Sequence, residues 1–270
     1  MERFTGLLGI VLILGVSFLM SNNRKAINYR TVGVGLLLQV GLAVFILKTE
    51  TGQATFQWLG DSINTLLGQA DKGAQFVFGS LVDRKLMSQA FGSGNDYIFF
   101  FKVVPTIIFV AVLVNMFYHL GVLQRVVSTM GKGVHWLMGV SGAEALSNVA
   151  STFVGQVEAQ IMIKPYLKNM TNSELMASMT GSFACIAGGV MAVYISLGVP
   201  AAYLLAASLM AAPGALVISK IMFPETEKSE TQGMVKMDII KTHANLVDAI
   251  AAGASEGLKV GMNVIAMLIG

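Results

Sequence analysis

Long apolar runs alternate with short charged turns along most of the chain. The four longest runs are 4–20, 31–47, 97–120 and 202–223. Each is close to or above the roughly 17 residues that a helix needs to cross a bilayer, so we predict a membrane span from each. A last helix begins near Ala244 and turns apolar before Gly270. No anchoring residues follow it, and we expect it to be cut in mid-span.

The segment from about 50 to 95 has a different pattern. Its apolar residues recur at helical spacing between charged ones; they include Trp58, Leu59, Ile63, Leu66 and Leu67. This pattern favours a helix lying along the membrane interface. A small extramembrane subdomain is the alternative, but residues 76–82 are too apolar for open water.

Two capping boxes, Ser141–Glu144 and Thr171–Glu174, predict helix starts. The first helix meets Val154–Gly155 after about twelve residues, and a second piece runs from Gln156 to Leu167. At 1.5 Å per residue each piece is about 18 Å long, too short to cross. We therefore predict a re-entrant hairpin over about 141–168.

The helix that follows the second capping box runs to about residue 198. Two glycines interrupt it at Ala187–Gly189, where the helix is weakened and another backbone can come close. We predict a discontinuous helix over about 174–198.

Gln156 and Glu158 are polar residues at the predicted tip of the hairpin. A carboxylate near mid-bilayer costs about 2.5 kcal/mol or more, which favours a bound polar ligand or ion. Discontinuous helices with such groups form the substrate site of many secondary transporters. The alternatives are a buried structural pair or a channel. An enzyme is not favoured, because the apolar runs offer Glu158 no second carboxylate and no nearby histidine.

Composition agrees with an all-α polytopic membrane protein. The 270 residues are 54% hydrophobic and 12% charged, with a mean hydropathy of +0.69. One cysteine excludes an intramolecular disulfide, and a net charge of +3 does not suggest nucleic acid. The basic turn Arg24, Lys25 and Arg30 favours the cytoplasm, which would place the amino terminus outside.

Several separate segments make the chain resemble the concentrative nucleoside transporter family. They are 21–28, 76–81, 154–159, 164–166, 186–189 and 224–228. The resemblance implies a homotrimer in the bacterial cytoplasmic (inner) membrane that takes up nucleosides by cation-coupled symport. It also implies an elevator-like motion of a transport domain against a scaffold, with no organic cofactor.

On this pattern, residues 1–120 form scaffold spans with the interfacial helix at about 50–95. Residues 121–242 form the first transport repeat, with a span at about 201–223 after the hairpin and the broken helix. Residues 243–270 begin a long scaffold span. The family's second repeat would lie beyond residue 270, so we expect this chain alone to hold half a binding site and not to transport.

The resemblance also implies roles for individual residues. The substrate-binding positions are Gly155, Gln156, Val157, Glu158 and Val190. The cation-binding positions are Ser151, Val154, Cys185 and Ile186.

Three departures from the family pattern affect these roles. Val157 stands where threonine is common, and Gln160 where a proline usually lies. Ser151 and Cys185 stand where sodium-coupled members have asparagine and serine. A hard cation wants oxygen ligands, so proton coupling is favoured over sodium. A channel, a transporter of another small polar solute and a non-functional fragment are the alternatives.

Overall fold

The computed structural model describes residues 2–92, 97–233 and 243–270, and all the regular secondary structure in these ranges is helical. The α-helices are α1 (Glu2–Leu19), α2 (Tyr29–Lys48), α3 (Glu50–Phe78), α4 (Arg84–Phe91), α5 (Phe99–His119), α6 (Val122–Met138), α7 (Gly142–Phe153), α8 (Gln156–Ile163), α9 (Asn172–Ala184), α10 (Gly188–Ser196), α11 (Ala201–Met222) and α12 (Leu246–Ile269). Short 3-10 turns lie at Arg24–Ala26, Gly79–Val82 and Leu167–Asn169. Parts of two predicted segments, 93–96 and 234–242, lie outside the described residues.

Three of the described helices, α2, α5 and α11, are long and apolar enough to cross a membrane. They coincide with three of the four predicted spans. The fourth, α1, has a shorter described apolar part, Leu8–Leu19. Only 17% of the most apolar window of α2 and 22% of that of α5 are buried within the protein. Most side chains in these two windows are therefore at least partly exposed in the single chain.

The region from 50 to 92 is more continuously helical than its mixture of charged residues and short apolar pieces indicates. A single helix of 29 residues, α3, covers most of it, and a 3-10 turn and α4 follow. Lys102 of α5 donates a hydrogen bond of 2.6 Å to Asp71 of α3. This ion pair connects the two helices within one compact unit.

That unit comprises residues 50–124, 187–206 and 239–270. Its described part is organised around α5, against which α3, α10 and α12 pack. Gly253 and Gly257 allow α12 to lie directly on α5, because an added Cβ would come within 2.8 and 2.6 Å of α5 backbone atoms.

The other compact unit comprises residues 1–49, 125–186 and 207–238, and it contains the predicted hairpin. Its core is formed by buried apolar side chains of several helices and loops: Ile27, Met138, Val140, Ala145, Ala177, Leu216, Val217 and Ile221.

Both predicted capping boxes are present at the starts of α7 and α9. The Glu144 carboxylate accepts a bond of 2.6 Å from the Ser141 amide, and Glu174 accepts one of 2.8 Å from the Thr171 amide. Thr231 joins the two boxes, because its hydroxyl contacts both the Ser141 hydroxyl and the Glu174 carboxylate. The amino ends of α7 and α9 therefore lie side by side.

A buried lysine from α11 completes this junction. The Lys220 ammonium lies 2.7 Å from the Glu144 carboxylate, and their side chains are 7% and 2% exposed. Lys220 also donates to the Ser173 hydroxyl at 2.8 Å and lies 3.8 Å from Glu225. A cavity of about 290 Å³ adjoins the junction and is lined in part by Glu144, Lys220 and Glu225.

From the junction, α7 and α9 run parallel and in register. The hydroxyl of Ser147 lies 2.7 Å from that of Ser178, and the hydroxyl of Ser151 lies 3.5 Å from that of Ser182. Both pairs are separated by 31 residues in sequence, so the two helices advance together by one turn between them.

Asn148 and Gly181 set how closely these helices approach. The Asn148 carboxamide donates to the Glu144 carbonyl at 2.9 Å and to the Ala177 carbonyl at 3.1 Å. A Cβ on Gly181 would lie 2.1 Å from the Asn148 carboxamide oxygen and 3.3 Å from its Cα. Only glycine fits at this contact.

Two of the predicted helix boundaries are wrong. The second hairpin helix is predicted to extend to Leu167, but α8 ends at Ile163, since Pro165 has no amide N–H with which to continue the helical hydrogen bonds. We also predicted that the broken helix is interrupted at Ala187–Gly189. The interruption is at Cys185–Ala187, and Gly188 and Gly189 open α10.

Replacing Lys220 with methionine removes the cation from a buried carboxylate. We expect the free energy of unfolding to fall by about 3–5 kcal/mol, measured by chemical unfolding in detergent. Lys228→Met, which changes an exposed lysine, serves as the control and changes stability by less than about 0.5 kcal/mol. Adding Glu144→Gln to Lys220→Met recovers part of the loss. A Lys220→Met protein as stable as the parent would contradict this account.

Replacing Gly181 with alanine places a methyl group against a carboxamide that is held by two carbonyls. Overpacking of this kind lowers stability by about 1–3 kcal/mol, which a thermal unfolding series in detergent would detect. Gly133→Ala in α6 is the matched control, because an added Cβ there has nothing within 4 Å. Equal melting temperatures for the two variants would show that α7 and α9 are not in close contact here.

Candidate functional site

A glycine turn separates α7 from α8. Gly155 has a φ of +107° and a ψ of 171°, a backbone conformation that residues with a Cβ rarely adopt. Helices α7 and α8 pack against each other on either side of this turn. The predicted break at Val154–Gly155 is therefore confirmed, and it makes 142–163 a pair of short packed helices.

The start of α8 carries the polar side chains that the sequence singled out. Gln156 is exposed and Glu158 is half-buried, both in the first turn of the helix. Gly155 has no side chain with which to cap α8, so the first backbone amides and the positive end of the helix dipole favour an acceptor group. Val157 belongs to this turn, but its side chain lies outside the described part of the structure.

Val190, the fifth predicted substrate residue, lies in the first turn of α10 and is 36% exposed. It belongs to the compact unit organised around α5, whereas Gly155, Gln156 and Glu158 belong to the other. Its place in a shared pocket stays a prediction.

The predicted cation residues lie at the ends of α7 and α9. Ser151 is fully buried, and its hydroxyl donates to the Ser147 carbonyl at 2.9 Å. Val154 is the C-cap of α7 and Cys185 is the C-cap of α9, with Ile186 directly after it. Since α7 and α9 run parallel, the structure brings these two helix ends close together.

The polar side-chain atoms at these helix ends are hydroxyl oxygens and the sulfur of Cys185. The Cys185 sulfur lies 3.7 Å from the Thr152 hydroxyl, which itself contacts the Asn148 carbonyl at 3.2 Å. Within the described ranges, no group of three or more His, Cys, Asp or Glu side chains could hold a metal ion.

A cluster of hydroxyl groups around Gln160 was missed by the sequence analysis. The Gln160 amide nitrogen donates to the Ser182 hydroxyl at 2.7 Å and to the Ser178 hydroxyl at 2.9 Å. The Ser178 hydroxyl is also 3.0 Å from the Gln160 carbonyl oxygen, and Ser147 lies 3.5 Å from the nitrogen. Serines four residues apart in two neighbouring helices, 147/151 and 178/182, are the sequence signal that indicates this cluster.

Comparison with known proteins identifies the family. Residues 8–81 match the model for the Na+ dependent nucleoside transporter N-terminus, and residues 100–201 match the model for nucleoside recognition. Residues 203–270 match the model for the Na+ dependent nucleoside transporter C-terminus. Together these matches account for most of the chain.

Similar proteins occur in bacteria and mammals. An uncharacterized transporter of Haemophilus influenzae is 42% identical over all of this chain and 63% of its own length. The uncharacterized transporter YutK of Bacillus subtilis is also 42% identical, over all of this chain and 65% of its own length. The mouse sodium/nucleoside cotransporter 1 is 38% identical over 99% of this chain and 40% of its own length. The chain thus spans less than two thirds of each of these relatives.

Solved structures share the fold. The transporter CNTnw in an inward-facing substrate-bound state is 38% identical, with a TM-score of 0.92 over all of this chain and 62% of that protein. An outward-facing state of a CNTnw variant gives the same TM-score of 0.92, so the likeness does not distinguish the two states. From these matches, the chain belongs to the concentrative nucleoside transporter family, whose members are membrane transporters and not enzymes.

Proposed function

We propose that this chain takes part in nucleoside uptake across the bacterial cytoplasmic membrane by cation-coupled symport. The observation that carries the proposal is the glycine turn with Gln156 and Glu158 in the first turn of α8, in a chain of the nucleoside transporter family. Its alternatives, a channel or a carrier of another polar solute, lack a comparable observation.

Gln156 and Glu158 have the groups that a nucleoside requires. The Gln156 carboxamide can donate one hydrogen bond and accept another from a nucleobase edge. The Glu158 carboxylate accepts N–H or O–H groups and forms the stronger, charge-assisted hydrogen bonds. We assign Gly155, Gln156, Val157, Glu158 and Val190 to nucleoside binding.

We propose that α7 and α8 form a re-entrant hairpin. Their 12 and 8 residues correspond to about 18 and 12 Å, less than the roughly 30 Å of a hydrocarbon core. The turn at Gly155 would then lie at membrane depth, where irregular backbone is tolerated if it lines a cavity or is buried in protein. The basic turn at Arg24, Lys25 and Arg30 supports an outside amino terminus.

We infer the transport movement and the oligomeric state of this chain from its family. We propose an elevator-type motion in a homotrimer, with 121–242 as the first transport repeat and with 1–120 and 243–270 in the scaffold. This functional division differs from the two compact units, in which α1 and α2 are grouped with α7–α9.

Proton coupling is the form of symport that the cation residues favour. Ser151 has no amide oxygen, and Cys185 provides sulfur, a poor ligand for a hard cation. The matched family models are named for sodium dependence, so sodium is the alternative.

Replacing Glu158 with glutamine removes the charge and half of the acceptor capacity at the turn. We expect uptake of labelled uridine and adenosine to fall at least tenfold in cells that express the longest reading frame containing this chain. The control is Glu227→Gln, which changes an exposed loop carboxylate and leaves uptake unchanged. Undiminished uptake by Glu158→Gln would remove this residue from the mechanism, and absence of uptake by the parent protein would refute nucleoside transport.

Combining Ser151→Asn with Cys185→Ser provides the oxygen ligands that a sodium site needs. We expect uptake by the parent protein to follow an imposed proton gradient and not a sodium gradient, and the double variant to gain sodium dependence. Uptake is measured in vesicles with each gradient imposed separately. Sodium-dependent uptake by the parent protein would contradict proton coupling.

A further inference from the structure

Gln160 connects the short helix α8 to both of its neighbours. Its carboxamide forms hydrogen bonds with Ser178 and Ser182 of α9, and its nitrogen lies 3.5 Å from Ser147 of α7. These serines are buried. The amide therefore occupies the point at which α7, α8 and α9 meet.

Helix α8 depends on its contacts with neighbouring helices, because it is too short to be stable by itself; Ala159 and Ile163 are buried, and Gln160 adds hydrogen bonds of defined direction. It has 8 residues, about two turns, far below the length at which an isolated helix is stable in water. The residue before it, Gly155, cannot cap it with a side chain. Its placement therefore depends on the side chains that contact α7 and α9.

The bonds of Gln160 also fix the rotation of α8 about its own axis. Each residue turns a helix by about 100°. Gln156, four residues earlier, lies on nearly the same side as Gln160, and Glu158, two residues earlier, lies about 200° around the axis. Holding the Gln160 amide against α9 therefore sets the direction of both polar side chains.

This connection uses only groups of the chain itself. Ser182, which accepts from Gln160, is also 3.5 Å from Ser151, a residue that we assign to the cation site. The hydroxyl cluster thus links the end of α7 to α8 through a carboxamide.

We propose that Gln160 is a positioning residue for nucleoside recognition. It does not contact the nucleoside; its carboxamide, held by Ser178 and Ser182, orients Gln156 and Glu158. This inference rests on the proposed function, since it gives those two side chains their ligand.

The test compares Gln160→Met, which keeps side-chain length and removes the amide, with Gln57→Met, which changes an exposed glutamine of α3. Both are made in the longest reading frame that contains this chain. We expect Gln160→Met to raise the KM for uridine about tenfold with Vmax within twofold of the parent, and Gln57→Met to change neither. An unchanged KM for Gln160→Met would overturn the proposal.

A second comparison separates positioning from a general loss of packing. Ser178→Ala combined with Ser182→Ala removes the partners of the amide, so it raises KM to the same extent, and adding Gln160→Met has no further effect. KM increases that multiply would mean that the groups act independently and would overturn the proposal. If Gln160→Met does not accumulate in the membrane, the double serine variant is the deciding one.

Amide hydrogen exchange distinguishes failure of this inference from failure of the proposed function. In the purified protein, residues 155–163 exchange faster in Gln160→Met than in Gln57→Met, whatever the solute. If the parent protein does not take up nucleosides but the two variants differ in exchange, the proposed function is refuted. Only the contact of Gln160 with α9 then remains supported. Equal exchange in the two variants overturns the positioning role directly.

Discussion

The buried ion pair between Lys220 and Glu144 is the interaction on which the arrangement of the compact unit that contains α7, α8 and α9 depends. A carboxylate and an ammonium buried this deeply are tolerable only when they are paired and hydrogen-bonded. The pair joins α11 to the start of α7, and Ser173 extends it to α9. Two helices thus begin from one junction, and residues 155–158 and 185–186 follow directly after their far ends.

In this unit α7 and α9 begin at capped, hydrogen-bonded ends and finish at irregular backbone. The capped helices α7 and α9 are joined by buried polar contacts along their length. The turn at Gly155 and the interruption at Cys185–Ala187 leave backbone groups out of regular helix. A binding site for a polar solute needs such groups, and it needs a support that holds them in place.

Local patterns in the sequence predicted the elements that depend on local interactions. The boxes at Ser141 and Thr171 and the break at Gly155 each require only a few neighbouring residues, and all three are present. The contacts of Gln160 depend on the register between α8 and α9, which no short pattern contains, so Gln160 was noted only as a departure from proline. The interruption after α9 comes earlier than the two glycines predict, because Gly188 and Gly189 form the first turn of α10.

The regular spacing of serines along α7 and α9 makes a second alignment conceivable. A slip of one helical turn, about 5.4 Å, would bring Ser151 opposite Ser178 and preserve one hydroxyl pair. Asn148 disfavours this second alignment, because the slip would move its carboxamide away from Gly181 and towards a residue that has a Cβ. One glycine, Gly181, thereby selects a single alignment from a repeating pattern.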